Sequence, residues 1–188
     1  MRWNPAVGHI PRGFCGGVGQ LAKIELVLIV AEPGDPYPGE AYNGESAKEL
    51  LDASCRHTYK CFESGTDLFH RNLRRILDLC WPQVTFAEQM RRTWITESTL
   101  CSADRECGPV QRAVTHCCVD RYLAKQLSLM PDAAIVTLGG KAKSRISNLG
   151  TAFLRASAAA PPGCNFADAI PSWNRVAVEV RRRAELRP

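Results

Sequence analysis

The chain has no long apolar run and no apolar leader at its start. No stretch approaches the roughly 18 consecutive apolar residues that a membrane-spanning helix requires. The first residues, MRWNPAVGHIP, lack the apolar core of a signal peptide. We therefore expect a cytoplasmic protein with no membrane partner.

The sequence also has no phosphate-binding P-loop, no internal repeat and no low-complexity tract. Gly139-Gly140-Lys141 is not such a loop, because Ile135 stands where the motif needs its first glycine. The two glycines are better interpreted as a turn between a strand and a helix. The sequence therefore gives no indication of a P-loop nucleoside triphosphatase.

The nine cysteines contain no CxxC pair. Their odd number, with no secretion signal before them, favours reduced and mostly buried thiols. A zinc site is an alternative, but the spacing matches no standard zinc finger. Its ligands would be Cys101, Cys107, His116 and Cys117 or Cys118. We expect no metal ion and no other cofactor.

Length and composition are ordinary for one globular protein. The chain has 188 residues, of which 45% are apolar and 23% charged, enough for a substantial core in one domain. The net charge of +5 permits an anionic partner without requiring one. We expect a monomer, with an irregular segment at 1–22 and a single domain at 23–188.

Hydrophobic periodicity predicts strands that alternate with helices. Strands are expected at about 23–30, 92–99, 133–138 and 152–158, and helices at about 45–62, 68–80, 110–130, 140–149 and 171–183. Strands that alternate with helices are typical of a parallel sheet, because each parallel strand is connected to the next by a helical crossover. This alternation predicts the α/β class. The expected architecture is a three-layer α/β/α sandwich with a mostly parallel four-stranded sheet.

A stiff loop follows the first of these strands. The buried run that ends at Val30 gives way to AEPGDPYPG, which is too rich in Pro and Gly to continue a strand or to start a helix. It holds two carboxylates, Glu32 and Asp35, at the carboxyl end of the strand. Ligands bind at that edge of open α/β sheets. A solvated surface loop is the alternative.

Four segments resemble signatures of the uracil-DNA glycosylase superfamily in their order and spacing. VAEPGDPYPGEAY at 30–42 resembles its GEAPG, GINPG and GQDPYHGPGQA loops. WITESTLC at 94–101 is similar to its YITN strand, and residues 118–142 are similar to its CxxYL…IVxLGxxA segment. PPGCNFADAIPSW at 161–173 falls where the superfamily has its HPSP or HPAA motif.

The resemblance implies that a flipped base is held in a pocket while its glycosidic bond is hydrolysed. Glu32 or Asp35 would be the catalytic carboxylate that orients water and stabilises positive charge on the sugar. Gly34, Tyr42 and Glu97 would form the base pocket, with Tyr42 stacking on the base. An ordinary half-buried tyrosine is the alternative for Tyr42.

Further positions are expected to contact DNA. They are Lys141, Lys143, Pro161, Pro162 and Phe166. The two lysines open the helix after the third strand, where they and the free N–H groups can meet phosphate. Phe166 falls where the superfamily inserts an apolar wedge into DNA, and burial in the core is the alternative.

The chain departs from the family pattern at two sites. Glu97 stands where the superfamily has an asparagine that reads the base, and an ionised carboxylate cannot donate to a base carbonyl. Ala160-Pro161-Pro162 replaces the expected His-Pro-Ser, and the last histidine of the chain is His116. Another group would then have to supply the histidine's role.

These observations lead to a prediction and a rival. The predicted function is that of a hydrolase that cleaves the N-glycosidic bond of a deaminated or damaged base in DNA, as in base excision repair. The rival is a catalytically inactive relative that binds nucleic acid or a protein through the same cleft. An enzyme acting on small nucleosides is a third possibility.

Overall fold

A five-stranded, mostly parallel sheet lies at the centre of the computed structural model, which describes residues 2–12, 14–44 and 46–186. The strands are β1 (Phe14–Gly16), β2 (Leu26–Val30), β3 (Thr93–Glu97), β4 (Ala134–Leu138) and β5 (Leu154–Ala156). Their order across the sheet is β1-β3-β2-β4-β5. The predicted α/β class is confirmed.

The four parallel strands coincide with the four predicted ones, and all of them lie in one sheet. β2 pairs with β3 and with β4, which sets Val30 beside Glu97 and Leu26 beside Ala134. β5 pairs with β4 on the far side. All five residues of β2 are buried, as expected for a strand that is covered on both faces.

The predicted strand count of four is wrong because β1 adds an antiparallel edge strand on β3. β1 lies within the segment 1–22 that the sequence predicts to be irregular. A strand of three residues that includes Gly16 has no usable alternation, and its pairing shows an irregular register. Only the pairing with β3 identifies it.

Helices connect the strands. They are α1 (Ala47–Ser64), α2 (Leu68–Cys80), α3 (Phe86–Arg91), α4 (Arg112–Cys118), α5 (Ala124–Ser128), α6 (Gly140–Ile146) and α7 (Ala169–Glu185). A π-helical turn, Val119–Leu123, joins α4 to α5. Helix α3 was not predicted from the sequence. Helix α7 begins at Ala169, two residues before the predicted start at 171. The predicted start of the first helix, at residue 45, lies outside the described residues.

Local side chains fix the start of the two helices that matter for the site. Ser46 and Glu49 form a capping box at the start of α1. Asp67 caps α2 by accepting a hydrogen bond from the backbone N–H of His70. Gly65, at φ 62°, supplies the left-handed residue that ends α1 between them.

The core lies on both faces of the sheet. Leu26, Leu28 and Val30 pack in one cluster with residues of α2 and α7. Val27 and Ile29 pack in a second cluster with the π-helical turn, α5 and α6. Because successive strand residues point to opposite faces, the two clusters are two separate layers of packing. Within the described residues, no helix is long and apolar enough to cross a membrane.

Candidate functional site

A cleft of about 870 Å³ opens at the carboxyl ends of the four parallel strands. The loop after β2 and the last residue of β3 form one part of its wall. The turn after β4 and the loop after β5 form another. Side chains from α1 and α2 also line it. The cleft is where open α/β sheets bind ligands.

Glu97 is the last residue of β3 and faces this cleft. Its Oε2 atom is buried and has no hydrogen-bond partner among the described residues. Burial, and then the negative charge of Glu32, raise the pKa of Glu97 well above its usual range, against the opposing charges of Arg12 and Arg145. These surroundings favour the neutral carboxylic acid, which can both donate and accept a hydrogen bond.

Glu32 lies in the loop after β2 with its carboxylate held by two cations. Its side chain is only 5% exposed. Oε1 accepts a hydrogen bond of 2.7 Å from Lys141 Nζ, and Oε2 lies 2.5 Å from Arg145 Nη1. Both cations come from α6, so Glu32 ties the first loop to that helix.

Asp35 and Gly34 are bound into the same loop by other partners. The Asp35 carboxylate pairs with Arg2 and is 43% exposed. Ser102 donates a hydrogen bond of 3.1 Å to the Gly34 carbonyl. A Cβ atom at Gly34 would lie 2.8 Å from a carboxylate oxygen of Glu106, so the position requires glycine or a shift of that side chain. The segment after β3 therefore packs directly on the first loop.

Tyr42 does not reach the cleft. It is 6% exposed, packs with Ile10 and Leu50 in a small separate core, and donates a 2.5 Å hydrogen bond to Glu40. Its predicted role as the ring that stacks on a base has no support in this position. Tyr37, in the same loop, lines the cleft instead, as does Phe69 of α2.

The predicted DNA contacts fall in different places. Lys141 Nζ donates hydrogen bonds to Glu32 and to the carbonyl groups of Cys107 and Gly108, although its side chain is 47% exposed. Lys143 lies half-buried on α6 and does not line the cleft. Pro161, Pro162 and Phe166 do line the cleft. Phe166 is 62% exposed, so the alternative of burial in the core is wrong.

The structure adds a polar cluster that was not predicted from the sequence. Its members come from α1, from the start of α2 with its capping residue and from the N-terminal segment, and they also line the cleft. They are Arg12, His57, Cys61, Asp67 and His70. The sequence offered one signal, an Asp-x-x-His pattern at the start of the second helix, which is a capping pattern as much as a functional one.

Acidic groups outnumber basic ones around the cleft. The carboxylates are Glu32, Asp35, Glu40, Asp67, Glu97, Glu106 and Asp168, and the cations are Arg12, Lys141, Arg155 and Arg175. Several of the cations are paired with these acids. The floor of the cleft therefore disfavours phosphate, and phosphate contacts would have to lie at its rim.

Within the described part of the chain, no group of three or more His, Cys, Asp or Glu side chains could hold a metal ion. Cys101 lies near enough to Cys118 for their charges to interact, and both are half-buried. Cys15, on β1, is half-buried, and its removal from solvent raises the pKa of its thiol to about 12. Such a thiol is a poor nucleophile and a poor ligand.

No known protein-family model matches the chain, and no curated protein shows significant sequence similarity to it. The relationship suggested by the four short segments therefore stays a prediction.

Proposed function

We propose that the cleft binds a deaminated or damaged base in DNA and hydrolyses its N-glycosidic bond. The observation that carries the proposal is Glu97, a carboxyl group with an unpartnered, buried oxygen, in a cleft at the carboxyl ends of parallel strands. A buried polar atom without a partner is costly to the fold. Its retention in a cleft points to a ligand that satisfies it.

The neutral form of Glu97 resolves the main chemical objection to this proposal. Deaminated bases present a carbonyl group beside a ring N–H. An ionised carboxylate would accept from the N–H but repel the carbonyl oxygen. A neutral carboxyl group donates to the carbonyl and accepts from the N–H, as an amide does. Glu97 can therefore take the place of the family's asparagine.

The surroundings of the cleft are compatible with a flipped nucleotide. The helices on both faces of the sheet agree with the three-layer α/β/α sandwich and the four-stranded parallel core of the superfamily that the segments resemble. Phe166 stands exposed at the rim, close to Pro161 and Pro162 in sequence. An exposed aromatic ring beside a base pocket can fill the space that a flipped base leaves.

A second candidate is a relative that binds nucleic acid or a protein without cleavage. The ion pairs of Glu32 with Lys141 and Arg145 favour it, because both carboxylate oxygens already contact cations and are not free to orient a water molecule. The loss of the histidine after β5 points the same way.

A cleavage assay separates the two candidates. Oligonucleotides that carry uracil, hypoxanthine, xanthine or an alkylated base would be incubated with protein and then treated with alkali to cut abasic sites. Cleavage of one of them supports the hydrolase. Binding of one without cleavage of any supports the second candidate.

Two variants at one position test the role of Glu97. We expect Glu97→Gln to stay within about tenfold of the wild-type rate, because the amide keeps one donor and one acceptor. Glu97→Leu should weaken the affinity for DNA that carries the base by roughly 10- to 100-fold, because the hydrogen-bonding edge of the bound base would then be buried without a partner. Equal activity of the Leu and Gln variants would remove Glu97 from the base pocket.

A further inference from the structure

Among the described residues, the hydrogen bonds of His70 run through its backbone N–H and through Nδ1, and none involves Nε2. Asp67 Oδ1 lies 2.8 Å from His70 Nδ1 and also accepts from the His70 backbone N–H at 2.9 Å. Asp67 Oδ2 accepts a hydrogen bond from the Tyr37 hydroxyl group. An ionised carboxylate can only accept, so Nδ1 carries the hydrogen and Nε2 keeps a lone pair.

The surroundings of His70 favour the neutral imidazole. Its side chain is 11% exposed and packs edge-on against Phe62 and Phe69, with ring centroids 4.8 and 5.1 Å away. Burial lowers the pKa of His70 below its usual value, although the negative charge of Asp67 opposes that shift. The positive charges of His57, from α1, and Arg12, from the N-terminal segment, lower this pKa further.

Asp67 itself stays ionised. Burial alone would raise the pKa of Asp67, but the hydrogen bonds from the Tyr37 hydroxyl group and from the His70 backbone N–H outweigh it and lower the pKa. The pair is therefore an ionised carboxylate that orients a neutral imidazole. This is the arrangement that makes histidine a general base.

Other groups in the cleft are poorly suited to that task. Both oxygens of Glu32 contact cations, and Asp35 is paired with Arg2. Glu97 favours its protonated form. Surroundings that keep a carboxyl group protonated and an imidazole neutral provide an acid and a base in one site. Here the two are Glu97 and His70, which line the same cleft.

We propose that His70 is the general base of the cleft, with Asp67 and Tyr37 as positioning residues; this rests on the hydrolase proposed above. His70 Nε2 takes a proton from a water molecule as its oxygen bonds to the sugar carbon. The glycosidic bond breaks, and its electron pair leaves with the base, which departs as an anion hydrogen-bonded to Glu97. The base then takes a proton from solvent, and His70 returns its proton to solvent.

A purely structural explanation makes a different prediction. Asp67 caps α2, and that role alone could account for its contact with His70. Asparagine caps a helix about as well as aspartate. Asp67→Asn therefore keeps the cap but removes the charge that orients the imidazole. A structural role predicts no change in the reaction, whereas a positioning role predicts a loss.

The experiment measures single-turnover cleavage, DNA affinity and the pH profile on the oligonucleotide that the wild type cuts. His70→Gln should lower the rate by about 10²- to 10⁴-fold with little change in affinity. His116→Gln is the matched control, because His116 is an exposed residue of α4 that does not line the cleft. Its rate should equal that of the wild type.

Asp67→Asn and Tyr37→Phe keep the proposal testable if His70→Gln does not fold. We expect a loss of tenfold or more in rate for Asp67→Asn, with an unchanged melting temperature. The base must be neutral, so the wild-type rate falls as the pH drops through the pKa of His70. Removing the charge of Asp67 lowers that pKa, so the acid limb moves to lower pH in Asp67→Asn.

Two results would overturn the proposal, and they differ. If the wild type cuts a substrate while His70→Gln and Asp67→Asn cut it equally fast, the base is another group and the hydrolase stands. If the wild type cuts none of the oligonucleotides, the hydrolase and the role of His70 fall together.

Discussion

Glu97 is a single residue whose ionisation connects the site to the stability of the fold. Its raised pKa means that the native protein holds a proton which the unfolded chain releases above about pH 4.5. Wherever the native state binds more protons, the free energy of unfolding falls as the pH rises. The wild type should therefore lose stability between that pH and the higher native pKa of Glu97.

Replacing Glu97 by Gln should remove this loss. Relative to the wild type, Glu97→Gln should become progressively more stable from about pH 5 upward. Urea unfolding at a series of pH values measures the difference. Glu63→Gln is the control, since Glu63 is an exposed residue of α1. Parallel curves for the wild type and Glu97→Gln would mean that Glu97 is ionised like a surface glutamate.

Helix α6 is the element that holds the first loop in place. Lys141 and Arg145 lie one turn apart on it, so both side chains reach the same point. That point is the Glu32 carboxylate. The side chains of Glu32 and Arg145 are both nearly buried, at 5% and 12% exposed. Arg145 also donates a 2.8 Å hydrogen bond to the Ala31 carbonyl group.

Breaking this contact should destabilise the protein more than a surface change on the same helix. Arg145→Met leaves a buried carboxylate with one cation and should cost about 3 kcal/mol in the free energy of unfolding. The control Lys143→Met should stay within about 0.5 kcal/mol. In the double variant Glu32→Leu and Arg145→Met, both charges are gone and much of the loss should be recovered. A double variant less stable than Arg145→Met would contradict this account.

At the scale of the whole molecule, the net charge of +5 is not concentrated in the cleft. For the proposed binding of DNA, the acidic lining of the cleft leaves its rim as the place for phosphate contacts. Arg155 is exposed and lines the cleft. Lys143 lies on α6, two residues after Lys141, which lines the cleft. Lys141 is already engaged with Glu32 and two carbonyl groups.

The salt dependence of DNA binding tests this distribution. Each phosphate contact contributes about 0.7–0.9 to the slope of log affinity against log salt. Arg155→Ala and Lys143→Ala should each reduce the slope by about that amount, whereas Lys141→Ala should leave it unchanged. Arg121→Ala, an exposed change outside the cleft, is the control. A flat salt dependence of the wild type would favour a nucleotide-sized substrate.

The sequence alone was enough to predict the four parallel strands and most of the helices. The buried run of β2 and the stripe of Val119, Leu123, Leu127 and Met130 are local patterns, and the structure buries them all. The strand and loop pattern also predicted that Glu32 and Asp35 would lie at the carboxyl edge of the sheet. The family resemblance added Gly34 and Glu97, and the structure places all four around the cleft.

Only the tertiary structure decided the chemical state of these groups. One of the two cations that contact Glu32 is Lys141, which lies 109 residues further along the chain. The burial that raises the pKa of Glu97, the packing of Tyr42 away from the cleft and the helices that bring His70 to the cleft all depend on segments far apart in sequence. Periodicity reports which face of an element is buried, but the pKa and partners of a side chain depend on what the fold places against it.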